Sequence, residues 1–247
     1  MLILLPPSES KRDGGSPDTK LRLAELGYPT LSAPRREALR SLSALAKDFA
    51  EMGRALKLGP HQHDELVRNR RVARSPVLGA LDRYTGVLYE ALDAATLSPE
   101  ARRFAAGHLV IHSALFGLLR ADDPIPAYRL SSSSRLPGLS LRTLWSAPIG
   151  TALAARPGLI LDVRSESYAR LGPVPAGRGL FLRVVSDDGR GRRRALNHFN
   201  KKGKGAFVRA LLTAGIDHAD ADSLLSWAAG AGIALSRSVP GELELVV

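Results

Sequence analysis

Four short stretches of this chain carry residue types that can do chemistry. Ser8-Glu9-Ser10-Lys11 sets hydroxyls, a carboxylate and an amine side by side. A lysine beside a strand end can bind phosphate or, once desolvated, form a Schiff base; the same residues also suit an ordinary surface loop. In Arg120–Arg129 two arginines and Tyr128 flank a loop stiffened by Pro124 and Pro126. Prolines lower the entropy cost of one loop shape. Arginine matches phosphate or carboxylate with two parallel bonds, and tyrosine can stack on a base. The competing reading is a structural salt bridge with Asp122 or Asp123. Ser165-Glu166-Ser167-Tyr168 follows an apolar run, where Glu166 could serve as general base or Ser165 could simply cap a turn. The fourth stretch is Arg190–Gly205, with seven cationic side chains in sixteen residues and no acid. His198 and Phe199 separate its Arg and Lys blocks. Such a tract repels itself unless a polyanion is bound, and phosphate is the obvious one.

The rest of the composition narrows the partners. Lys plus Arg is 35 against 24 Asp plus Glu, a net charge of +11. That favours anionic partners without choosing among DNA, RNA, nucleotides and acidic lipid. With no cysteine, disulfides, thiolate zinc sites, iron–sulfur clusters and cysteine nucleophiles are excluded. No stretch approaches the roughly 20 apolar residues of a membrane span, and the apolar start is too short for a signal peptide; a cytoplasmic location and no membrane partner are expected. No metal site is expected: His108 and His112 stand four apart on a predicted helix, without an accompanying carboxylate. No glycine pattern fits the Walker or dinucleotide fingerprints, so neither ATP nor NAD is supported and no cofactor is expected.

These residues need elements to hold them. Leu2–Leu5 is a continuous apolar run, suited to a central strand covered on both faces, and Pro6-Pro7 ends it. A polar loop straight after a buried first strand is a common place for an α/β site. Helical spacing runs from Ala33 to about Lys57 and again over Val77–Leu92, with a break at Tyr84-Thr85-Gly86. Ser98-Pro99-Glu100 is an N-cap with proline in the first turn, opening a helix toward Val110. Ile111–Leu119 reads as a turn between helices at Gly117. Leu141–Ala155 is helical and Leu159–Val163 a strand. Gly179–Ser186 and Arg193–Asn200 read as a hairpin around Asp187-Asp188-Gly189-Arg190. Ala206–Ala214 and Asp220–Ala229 are helical, and Ala234–Val247 closes as a hairpin. Strands at both ends with helices between predict one mixed α/β (α+β) domain over residues 1–247, with a central mixed sheet.

Taken in order, Met1-Leu-Ile-Leu-Leu-Pro-Pro-Ser-Glu-Ser-Lys11, Tyr84-Thr-Gly-Val-Leu-Tyr89, Ser113–Arg120 with Pro126–Leu130, Leu144-Trp145, Ser165-Glu-Ser-Tyr168 and Asn200-Lys-Lys-Gly-Lys-Gly205 resemble the YaaA peroxide-stress family over nearly the whole chain. The resemblance implies a compact α/β domain with a positively charged cleft. It implies DNA binding linked to protection against hydrogen peroxide, through less free iron and less oxidative DNA damage. It also implies a helix-hairpin-helix-like element, placed here around Ala105–Arg120.

Two functions follow. In the first, the protein binds double-stranded or distorted DNA, with Ser8, Arg120, Tyr128, Arg129, Ser165, Tyr168, His198, Lys201 and Lys204 on phosphate or base. In the second, it is an enzyme acting on a nucleobase, nucleotide or DNA lesion, with Lys11, Glu166 and Lys202 as catalytic candidates. Direct iron handling ranks below both. Within the basic tract, Arg190–Arg194 reads as a solvated hairpin tip and Asn197–Gly205 as the half that lines the cleft.

Overall fold

β1 (Leu2–Leu5) has all four side chains buried. It takes the central position its apolar run predicts, between two parallel neighbours. The computed structural model describes residues 1–59, 62–187, 193–194 and 197–247. The remaining described strands are β2 (Leu78–Gly79), β3 (Leu109–Ser113), β4 (Gly117–Arg120), β5 (Pro124–Ile125), β6 (Ile160–Asp162), β7 (Gly179–Asp187), β8 (Arg193–Arg194), β9 (Leu235–Arg237) and β10 (Glu242–Val246). The described helices are α1 (Ser32–Leu45), α2 (Phe49–Leu56), α3 (His63–Arg71), α4 (Ala80–Arg83), α5 (Val87–Leu92), α6 (Pro99–His108), α7 (Leu141–Ala154), α8 (Glu166–Leu171), α9 (Asn197–Ala214) and α10 (Ala221–Gly230). The fold is mixed α/β.

The main sheet runs β4-β3-β1-β6-β7-β10-β9, with β8 paired to the end of β7. Strands β3, β1, β6, β7 and β10 are parallel in succession. Their carboxyl ends therefore share one edge of the sheet, where α/β sites gather. The outer strands β4 and β9 run antiparallel to their neighbours. Beside the sheet, β2 and β5 form a two-stranded pair.

Local chemistry explains the boundaries. Ser98 caps α6 by accepting from the Ala101 N–H at 3.2 Å, with Pro99 in the first turn. Asp48 accepts from the Glu51 N–H at 2.9 Å, which starts α2 and splits what its spacing predicts as one helix from Ala33 to Lys57. The predicted turn between helices at Gly117 is instead a β-hairpin. Gly117 has φ +66°, and a Cβ there would lie 2.6 Å from the Trp145 ring. Ala105–Arg120 is thus the end of α6 followed by β3 and β4, not a helix-hairpin-helix element. His108 ends α6 and His112 sits in β3, so the four-residue helical spacing of that pair is lost.

The predicted second arm of the late hairpin is also different. β8 is only Arg193–Arg194, and helix α9 already begins at Asn197. The glycines that bracket Lys204 are packing residues. A Cβ at Gly205 would stand 2.2 Å from the Leu88 carbonyl oxygen, and one at Gly203 2.8 Å from Val247. Glycine lets α9 press against α5 and the sheet, an approach that any side chain would block. Residues 188–192, and with them the predicted turn after Asp187 and most of the predicted hairpin tip from Arg190, lie outside the described residues.

Candidate functional site

The loop after β1 folds back on its own lysine. Lys11 is 6% exposed, and its Nζ donates to the Ser8 carbonyl at 2.9 Å and the Glu9 carbonyl at 3.3 Å. The ammonium stands 4.1 Å from the centre of the Tyr128 ring and 5.2 Å from that of Tyr84. Burial lowers its pKa to about 7; the Glu65 carboxylate opposes this and the Arg129 guanidinium adds to it. The ring faces and the two carbonyls favour the charged form. The result is an amine that changes protonation near neutrality, at the carboxyl end of the central strand.

A chain of hydroxyls lies beneath it. The Tyr128 hydroxyl is 2.7 Å from both the Tyr84 hydroxyl and Ser113 Oγ. Ser113 Oγ already accepts from the N–H groups of Leu115 and Phe116 at 3.1 and 2.9 Å. Its two lone pairs are taken, so it donates its own proton to Tyr128. Burial raises the pKa of Tyr84 and of Tyr128, so both phenols stay protonated. Ser8 accepts from the Ser10 N–H at 3.3 Å and faces Gly86, where a Cβ would come within 3.1 Å of its Oγ.

Arg129 is set by an amide clamp. Asn69, 1% exposed, accepts from the Arg129 N–H and donates to its carbonyl, both at 2.8 Å. The guanidinium pairs with Glu9. This fixes the loop after β5 to the loop after β1.

The next cluster belongs to β6 and β3. Arg164, fully buried, donates Nε and Nη2 to the two oxygens of Asp162 at 2.8 and 2.7 Å. Its Nη1 reaches the Gly172 carbonyl and His112 Nδ1, each at 2.8 Å. A guanidinium only donates, so His112 Nδ1 accepts and its proton sits on Nε2. Burial first, and Arg164 second, push the His112 pKa well below its ordinary value. The imidazole lies edge-on to Tyr168 at 5.5 Å, which joins this cluster to the lysine–tyrosine group. Above Tyr168, Ser132 donates to Ser167 at 3.1 Å and Ser165 lies 3.0 Å from Ser167, leaving a rim of hydroxyls.

α9 comes to the same edge through Lys204. Its buried Nζ donates to the Arg164 carbonyl at 3.2 Å and lies 5.2 Å from the Phe181 ring centre. Burial lowers its pKa to about 8, opposed by Asp162. Lys201 and Lys202, three and two residues earlier in α9, are exposed. The side chain of His198 lies outside the described residues.

Ser8, Lys11, Tyr128, Arg129, Ser165, Tyr168 and Lys204 therefore meet along the carboxyl edge. Glu166 follows Ser165 but is exposed, 3.2 Å from Arg183 and 3.6 Å from Arg170. Arg120 does not join them. It is paired in register with Val110, near the amino end of β3, at the opposite edge of the sheet. The sequence reading missed Tyr84, Ser113, Asn69, Asp162, Arg164 and His112 as members of the group. Asp162 and Arg164 had a usable signal: a charged pair closing an otherwise apolar strand must find partners or stay ionised in the core.

The comparisons with known proteins span this whole edge. A UPF0246 protein of Corynebacterium efficiens is 41% identical over 240 residues, covering 94% of each chain. One from Streptomyces coelicolor is 40% identical over 223 residues, 87% of this chain and 84% of the relative. The family model described as peroxide stress protein YaaA matches residues 1–229, which takes in every residue from Ser8 to Lys204 discussed above, and on that match the chain belongs to the YaaA peroxide-stress family.

Proposed function

We propose that the protein serves in defence against hydrogen peroxide by binding DNA along the carboxyl edge of its sheet, in double-stranded or distorted form, and so limits iron-dependent DNA damage. One observation carries this reading: the Lys204–Arg164 bond hangs the first turns of α9 on that edge. Lys201 and Lys202, in those first turns, are exposed. A net charge of +11 adds long-range attraction for phosphate. Contacts of this kind hold the backbone and read little sequence. In a salt titration by fluorescence anisotropy on duplex DNA, the Lys201→Gln/Lys202→Gln variant is expected to bind every sequence more weakly. Its log–log salt slope should be shallower by about 0.9 for each phosphate that is no longer neutralised. Affinity and slope equal to wild type would overturn the assignment.

The buried Lys11 favours a second reading, action on a DNA lesion. A neutral amine at a strand end can attack the aldehyde of an abasic site, lose water and leave an imine. Glu166, already paired with Arg183, is poorly placed to exchange protons with Lys11. Borohydride treatment with abasic DNA should give a covalent adduct that Lys11→Met abolishes. No adduct with wild type removes this reading and leaves the first intact.

A further inference from the structure

The opposite edge of the sheet holds a cavity of about 500 Å3. It lies between the end of α6, the start of β3, the end of β4, the end of α7 and the Tyr28–Thr30 segment. Its walls are largely apolar, with Leu109, Val110 and Ala152 among them, and its polar groups are Tyr28, Thr30, Thr151, Arg120 and Arg156. A volume of this size suits a small organic ligand.

The charges in this cavity are of one sign. Among the described residues, the Arg120 guanidinium makes no hydrogen bond or ion pair, and that of Arg156 makes one long contact, 3.4 Å to the Gly107 carbonyl. The nearby acid is otherwise engaged. Asp123 accepts from the Gly27 N–H with both oxygens at 2.9 Å and from the Arg120 N–H at 3.0 Å. Its carboxylate fixes the backbone on both sides of the cavity and leaves the guanidiniums uncompensated.

Tyr28 lines the cavity in a costly conformation. Its φ is +59°, a region bulky side chains rarely adopt. Both guanidiniums act on its phenol, Arg156 more than Arg120, each pulling its pKa down against the upward push of burial. Gly27 leaves room for the arrangement: a Cβ there would stand 2.8 Å from the Arg120 side chain. Two cations, a phenol and two threonine hydroxyls around an apolar hollow describe a receptor for a molecule with one anionic end. A bare inorganic ion would leave the apolar walls in contact with water, and a neutral ligand would leave the guanidiniums unmatched.

We propose that this cavity binds a small organic anion with a flat apolar body, an aromatic carboxylate or phosphate monoester, held by Arg120 and Arg156 and covered by Tyr28. The site is separate from the carboxyl edge, so it stands or falls independently of DNA binding. Phenyl phosphate and benzoate are the probes, titrated calorimetrically into the full chain, with inorganic phosphate and benzyl alcohol as controls. At least one organic anion should bind about tenfold more tightly than either control. The stronger of the two identifies the anionic group. Arg120→Gln should weaken it about tenfold or more. Gly107→Leu, where a Cβ meets nothing within 4 Å, should block binding by filling space and leave the melting temperature near wild type. No saturable binding of either organic anion in the millimolar range, binding no better than that of inorganic phosphate, or affinities unchanged in both variants would overturn the proposal.

Discussion

At the carboxyl edge, Arg164 is fully buried and places its guanidinium on Asp162, His112 and a backbone carbonyl. At the amino edge, Arg120 is exposed, and its guanidinium has no partner among the described residues. The two residues are equal in charge and stand at opposite edges of the same sheet. What differs is desolvation. A buried guanidinium must be matched at almost every N–H or the fold does not tolerate it. Once matched, it ties strands together and has nothing left for a ligand. An exposed guanidinium keeps its donors for whatever arrives. Arg83 follows the first pattern, donating to carbonyls of Arg12, Gly14, Pro76 and Ile125; Arg35 is tied to the Phe116 and Leu118 carbonyls but leaves its Nη1 buried without a partner among the described residues. In this protein a buried arginine tied to backbone carbonyls reads as architecture and an exposed, unpaired one as a site.

Substitution at both ends gives the sharpest test of that contrast. Arg164→Met leaves Asp162 as an unpaired buried carboxylate and His112 without its donor. Loss of one partner of a buried pair costs about 3–5 kcal/mol, to be read from urea denaturation. Arg120→Gln removes an exposed charge with nothing to orphan and should stay within about 0.5 kcal/mol of wild type. Equal losses in the two variants would mean that Arg120 is also structural, and the comparison between the edges would collapse.

Much of the frame was legible because apolar runs and caps act locally. Leu2–Leu5 declares a doubly covered strand, and Ser98-Pro99 declares a helix start. The failures are places where long-range packing wins over local pattern. Ile111–Leu119 has no alternation to mark it as a hairpin, since both faces of β3 and most of β4 are buried. Asn197–Asn200 looks like the end of a hairpin arm, and its helical state goes with the packing of α9 against α5, a partner more than a hundred residues away. The site was legible in its loops, because Lys11, Arg129 and Ser165 follow strand ends. Its buried half was not. Ser113 and Tyr84 are ordinary core residues until Tyr128 comes between them, and Asn69 is anonymous on a polar helix until its amide meets Arg129.

The smallest effect concerns Lys11, which stands between the two patterns: buried like Arg164, but able to lose its charge. Its pKa in the fold is about 7, against about 10.4 in an unfolded chain. Between these values the unfolded state holds one more proton than the folded state, so stability rises with pH. Below pH 7 the amine is charged in both states and the dependence vanishes. Above about pH 10 the buried tyrosines reverse the sign, because their folded pKa values are raised and the unfolded phenols release protons first. Lys204, at about 8, adds a similar rise but is present in both proteins to be compared. Denaturation of wild type and Lys11→Met between pH 7.5 and 9.5 should therefore give a steeper rise for wild type, by up to about 1 kcal/mol per pH unit. Parallel curves would mean that the Tyr128 ring and the Ser8 and Glu9 carbonyls keep the ammonium charged throughout. Lys11 would then belong with Arg164 as a fixed cation of the frame, and the lesion-directed reading would lose its amine.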